Sequence, residues 1–206
     1  MHHGKYSVYS YVISNKMVLK RKFIAVTCIN SKIDIIRDDI SRVLGKCQVL
    51  EQSHNNFKLP DQPYTSTTMA VTIWEPSIKQ DSTMLMANFS DGWLTLVHNL
   101  GIKYGHELYR LRISSADSEW YVCSLTYYKN GKERRIIQAL KDDPRWEFFQ
   151  KGEPLEFEKL EYYKKRRIKD RFNSSILFEY LNASGWNLES DKMWEPNILG
   201  FFIEYT

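Results

Sequence analysis

The residues best suited to chemistry are acidic side chains gathered late in the chain. Asp142, Asp143, Glu147, Glu153, Glu156 and Glu158 fall close together, and a two-metal nuclease collects carboxylates of this kind around its cations. Such an enzyme also carries a lysine at a set spacing on a strand, and Glu156-Phe157-Glu158-Lys159 is a loose echo of it. Exposed charges on turns and strand edges account for the same residues. A metal-dependent nuclease built on Asp142, Asp143, Glu156 and Glu158 is therefore the third of three readings. His54, His98 and His106 lack the His-Glu-x-x-His spacing that presents two imidazoles to one metal. Cys123 and His106 lack the local sequence of an activated thiol. No Gly-x-Gly-x-x-Gly, Gly-x-x-x-x-Gly-Lys or Gly-x-Ser-x-Gly occurs to cradle a phosphate or expose a serine. The expectation is a chain with no catalytic, cofactor-binding or metal-binding residue.

The cations are the next candidates. Lys and Arg number 29 against 25 Asp and Glu, a net charge of +4. They concentrate in two places. Lys129, Lys132, Arg134 and Arg135 flank Asn130-Gly131, and six of the eight residues at 164–171 are Lys or Arg. Charges beside a tight turn are solvated in most hairpins. These four are accordingly the expected partner-binding residues, facing an acidic patch on another protein. Read as a helix, 164–171 spreads its cations around the axis, with Arg166 and Asp170 in i,i+4 pairing range. Long cationic stems lying along aromatic neighbours suit that mixture better than a uniform phosphate rail. Nucleic-acid binding or regulation through these residues is the second reading, with affinity that would fall steeply with salt.

Composition narrows the setting. The chain has 206 residues, 43% hydrophobic and 14% aromatic, which excludes a disordered polyampholyte and allows one sizeable core. No apolar run reaches the ~18 residues of a membrane span, and no signal-peptide core is visible. Three separated cysteines, Cys28, Cys47 and Cys123, form neither a disulfide framework nor a zinc ribbon. A cytoplasmic location without a membrane partner follows as an expectation. Six tryptophans are more than a core of this size needs for filling, so one or two left exposed would anchor an interface.

The elements that must position these groups are α+β: a mostly antiparallel sheet with covering helices and two C-terminal helices. Strands are expected at 23–29, 47–51, 69–74, 83–89, 108–113, 120–128, 134–140 and 198–205. Asn130-Gly131 marks the firmest hairpin. In 108–113, Leu108, Arg110 and Arg112 alternate with Tyr109, Leu111 and Ile113, the pattern of a strand with one buried face. A helix opens after Asn30 or Ser31, with Ile33, Ile36, Ile40, Val43 and Leu44 on one stripe. A second spans 91–104, placing Trp93, Val97, Leu100 and Tyr104 together. Two more close the chain, one carrying Leu160, Tyr163, Arg167 and Ile168, the other starting at Ser174 or Ser175 and stopping at Gly185. The chain reads as a single domain, 1–206. Charge balance shifts near residue 90, from 11 bases and 7 acids before it to 18 of each after it, which leaves open two lobes (1–90 and 91–206) sharing one core.

The stretch Trp146-x-Phe148-Phe149-x-x-Gly152-x-x-Leu155-x-Phe157-Glu158 is followed by Tyr163-x-x-x-Arg167-Ile168-x-Asp170-Arg171, Tyr180 and Gly185-Trp186. This pattern, over the C-terminal third, resembles bacterial immunity proteins of polymorphic and contact-dependent growth inhibition toxin systems. Asp91-Gly92-Trp93 adds to it. The resemblance implies a non-enzymatic protein that binds and occludes a cognate toxin, with no catalytic residues to carry over and no cofactor. That is the first of the three readings.

Overall fold

The computed structural model describes residues 23–60, 69–142 and 144–205. Nine strands form one sheet: β1 (Phe23–Ile29), β2 (Cys47–Ser53), β3 (Ala70–Pro76), β4 (Thr83–Ala87), β5 (Leu108–Ser114), β6 (Val122–Lys129), β7 (Lys132–Asp142), β8 (Arg145–Lys151) and β9 (Pro196–Tyr205). Their order is β2-β9-β3-β4-β1-β5-β6-β7-β8 with every neighbouring pair antiparallel. The sheet thus runs across residue 90 without a break, since β1 pairs with β5 and β3 with β9.

Alternation along the strands divides the apolar side chains between two faces. One face carries Val26, Cys28, Trp74, Met84, Leu111, Leu125 and Ile137, and the C-terminal segment packs on it through Tyr163, Phe172, Leu177, Tyr180, Trp186 and Trp194. The other carries Val71, Ile73, Leu85, Phe201 and Ile203. Helix α1 (Ile33–Leu44) covers this second face with Ile36 and Ile40, and helix α2 (Leu94–His98) with Leu96 and Val97. The architecture is a mostly antiparallel α+β sandwich of helix, sheet and helix-rich segment.

Local chemistry explains several departures from the sequence pattern. Helix α1 begins at Ile33 behind Lys32, whose side chain makes no cap. Asp34 instead binds Arg37 within the first turn, at 2.8 Å. Trp93 does not lie in a helix face: it precedes α2 in the left-handed region, φ 60°, where a bulky residue is rare. The Asp91 carboxylate accepts the Trp93 N–H at 2.9 Å, and Arg110 donates to the Asp91 carbonyl. Past His98 the helix widens into a π-helical turn, Asn99–Lys103. Of the two expected C-terminal helices only the second is an α-helix: α3 (Ser174–Ala183), capped by the Asn173 side chain on Ile176 N–H at 3.2 Å. The first is replaced by short 3-10 turns, Tyr162–Lys164 and Ile168–Asp170. Tyr163 is turned into the core there, its hydroxyl donating to the Glu158 carboxylate at 2.8 Å.

Trp74, Trp186 and Trp194 are fully buried, Trp93 and Trp146 half-buried, and Trp120 is 64% exposed. Cys28 and Cys123 are buried free thiols, Cys47 a half-buried one. No helix among the described residues is long and apolar enough to cross a membrane.

Candidate binding surface

The β6–β7 hairpin forms as its sequence demands. Asn130 and Gly131 both take positive φ, 54° and 66°, the tight turn whose twist suits antiparallel strands. The register then slips. Lys129 faces Lys132 and Tyr128 faces Glu133, but Tyr127 faces Arg135, so Arg134 is an extra, bulged residue.

That one residue decides which arginine is buried. Lys129, Lys132 and Arg134 are exposed, whereas the Arg135 side chain is 2% exposed and points to the C-terminal segment. Arg135 therefore lies off the surface on which the sequence placed it. Its Nη2 and Nε donate to the Glu158 carboxylate at 2.6 and 2.9 Å, its Nη1 to the Gly152 carbonyl at 2.7 Å, and its Nη2 to Gln150 Oε1 at 2.8 Å. Burial by itself would depress the guanidinium pKa; the Glu158 carboxylate outweighs it and holds the group above its ordinary value. Glu158, 0% exposed, also accepts from Leu155 N–H and the Tyr163 hydroxyl. Gly152, at φ 85°, is required behind the bulge, because a Cβ there would stand 1.9 Å from the Arg134 carbonyl oxygen.

The hairpin tip rests on the π-helical turn. A Cβ on Gly131 would lie 3.2 Å from the Ile102 carbonyl, and one on Gly101 2.7 Å from the Tyr128 ring, so both glycines permit contact between the two. This puts exposed Lys103, whose ammonium sits 5.4 Å from the Tyr104 ring centre, on the same end of the sheet as Lys129, Lys132 and Arg134. Two cations there are already engaged. Lys129 pairs with Glu107 at 3.3 Å, and Arg134 Nε donates to the Lys129 carbonyl at 3.2 Å. Glu107 also accepts from the Tyr127 hydroxyl at 2.5 Å, and the Tyr127 ring stacks on Tyr109 with centroids 4.6 Å apart. Burial pushes the Glu107 pKa up, but the Tyr127 and Lys129 contacts together bring it below the ordinary carboxylate value. Nearby, His106 meets Asp39 of α1 at 2.7 Å, and Asp39 meets Arg42 at 2.7 Å. These ties fix the hairpin end.

The remaining candidates are scattered. Glu158 is committed to Arg135, Glu156 is exposed, Asp142 ends β7, and Asp143 lies outside the described residues. Among the described residues no group of three His, Cys, Asp or Glu side chains converges as a metal site needs. Cys123 is buried in the face under the C-terminal segment, while His106 pairs with α1, which covers the opposite face, so the two are not brought together. Burial raises the Cys123 pKa well above that of a free thiol. His54 and His98 are exposed. In the basic segment Lys164, Lys165, Arg166, Arg167 and Lys169 are exposed. Arg167 binds Asp170 at 2.6 Å, and the Lys165 ammonium lies 4.3 Å from the Tyr162 ring centre.

Sequence reasoning missed the bulge at Arg134 and the π-helical turn beneath the hairpin. Gly101, Gly105 and Gly131 were the available signals, three glycines that let backbones approach closely. Comparison with known proteins finds no matching family model, no matching curated protein and no matching solved structure.

Proposed function

We propose that this chain is a non-enzymatic protein-binding protein, an immunity protein that neutralises a cognate bacterial toxin in the cytoplasm by binding and occluding it. The observation that carries the reading is the hairpin end. Lys132 and Arg134 are exposed cations beside a turn held by the π-helical segment and the Glu107–Lys129–Tyr127 contacts, and exposed Lys103 belongs to that segment. A fixed, basic surface suits an acidic partner, because opposite fields speed encounter and little side-chain order is lost on docking. An interface of standard size, roughly 1,600 Å² in total, reaches from the tip to the neighbouring turn. The test is co-expression with the toxin encoded beside its gene: cells survive with this protein, and equal killing with and without it refutes the reading.

The exposed cations of 164–171 favour nucleic-acid binding as the second reading. Titration with duplex and single-stranded DNA and RNA at two salt concentrations separates the two, since phosphate binding weakens steeply with salt. No binding at low salt removes it.

A further inference from the structure

Arg110 and Arg112 lie on the same face of β5, about 7 Å apart along the strand. Their cross-strand partners on β6 are Thr126 and Ser124, and Ser124 in turn faces Gln138 of β7. The row continues to Phe149 of β8, which is 50% exposed. This is the part of the sheet face beyond the apolar contacts of α1 and α2. Arg110 is 7% exposed, and its only described acceptor is the Asp91 carbonyl. Arg112 is stranger: its Nε is shielded from solvent and makes no hydrogen bond, and its guanidinium lies 5.9 Å from the Phe23 ring centre.

Two half-desolvated guanidiniums on one face repel each other. Burial draws both pKa values down, Arg112 draws that of Arg110 further, and the Asp91 charge offsets part of this for both. Buried polar groups are almost always satisfied, and an orphaned charged donor costs more than a neutral one. Arg112 Nε, unpaired beside a second arginine and two hydroxyls, offers an anion several donors at once. The donors exceed what the two oxygens of a carboxylate can accept and match the peripheral oxygens of a phosphoryl group, which arginine binds in fork geometry.

We propose that Arg112 and Arg110, with the Ser124 and Thr126 hydroxyls, form a largely buried phosphate-binding site on this sheet face. The site is independent of the hairpin surface and of the toxin reading. Its ligand is either free phosphate or the phosphate group of a small phosphomonoester.

The test is a titration of the full-length protein with sodium phosphate at constant ionic strength held by chloride, followed through the arginine Nε–H resonances and by calorimetry. Saturable binding that shifts the Arg112 Nε signal is expected. Arg112→Gln should weaken affinity about tenfold or more, and Lys46→Gln, exposed just past α1, should leave it unchanged. Glycerol phosphate as a second titrant separates the sources: tighter binding than phosphate points to a phosphomonoester, weaker binding to the free ion, and either supports the site. An Arg112 resonance that does not saturate, or equal affinity in Arg112→Gln, overturns it. Because the wild-type resonance is read directly, the outcome stands even where Arg112→Gln fails to fold.

Discussion

Glu158→Gln should expose how the hairpin is fixed to the C-terminal segment. The substitution keeps the size and an acceptor oxygen but removes the carboxylate to which Arg135 donates. The two side chains are 0% and 2% exposed, so water cannot replace the lost charge. Breaking one partner of a buried pair costs about 3–5 kcal/mol. The Gly152 carbonyl at 2.7 Å and Gln150 Oε1 at 2.8 Å remain to solvate the guanidinium, which places this case near the lower end, about 3 kcal/mol. For a chain of this length that lowers Tm by roughly 6–12 °C, and urea melts should show a lower midpoint at unchanged slope. Replacing both partners, Arg135→Met with Glu158→Leu, removes the uncompensated charge and should recover most of the loss, so the pair couples strongly in a double-mutant cycle. A Glu158→Gln cost below about 1 kcal/mol would refute the reasoning, since it would mean that solvent reaches Arg135.

Lys132→Glu with Arg134→Glu should leave stability within about 0.5 kcal/mol, both side chains being exposed, while slowing association with the toxin partner and blunting its salt dependence in surface plasmon resonance; an unchanged on-rate moves the contact surface elsewhere. Gly152→Ala should cost about 2–3 kcal/mol in a urea melt, because the methyl meets the Arg134 carbonyl at a φ that disfavours it. Glu107 has a folded pKa below its ordinary value, so its contribution is present above the ordinary carboxylate range and is lost as pH falls through the lowered value; Glu107→Gln should flatten the acid limb of a stability-versus-pH curve. Under native conditions a thiol reagent should label one cysteine per chain, Cys47, because Cys28 and Cys123 are buried with pKa values raised by burial.

Much of the fold was legible because its signals are local. Asn130-Gly131 requires a turn with two positive φ angles, and the β-branched run of β1 fills a strand buried on both faces. What stayed hidden depends on contacts distant in sequence. The segment at the C-terminal end reads as a late strand, yet β9 enters between β2 and β3, joined to both by register alone. No periodicity within 196–205 specifies those neighbours. The π-helical turn is equally illegible, since its pattern of apolar residues fits an ordinary helix until Gly101 meets the Tyr128 ring. The stretch that reads as a C-terminal helix has the right spacing at Leu160, Tyr163 and Arg167, but Tyr163 is drawn instead to the Glu158 carboxylate.

The arginines show most sharply why the site outran its pattern. Arg134 and Arg135 are adjacent and chemically identical, and sequence alone gives them the same exposure. A single bulged residue, held by the close approach of Gly152, reverses the parity of β7 and turns Arg135 inward, where Glu158 and two further acceptors meet it. On β5 the alternation of Arg110 and Arg112 with Tyr109, Leu111 and Ile113 reads as a wet face opposite a dry one. Yet Arg110 is buried, donating to the Asp91 carbonyl of the segment that leads into α2, and Arg112 Nε is sealed off. Charge in a strand marks a solvated face only where no other segment covers that face. Where another segment covers the face it marks a demand for a counter-charge, which Glu158 meets for Arg135 and which no described carboxylate meets by an ion pair for Arg112.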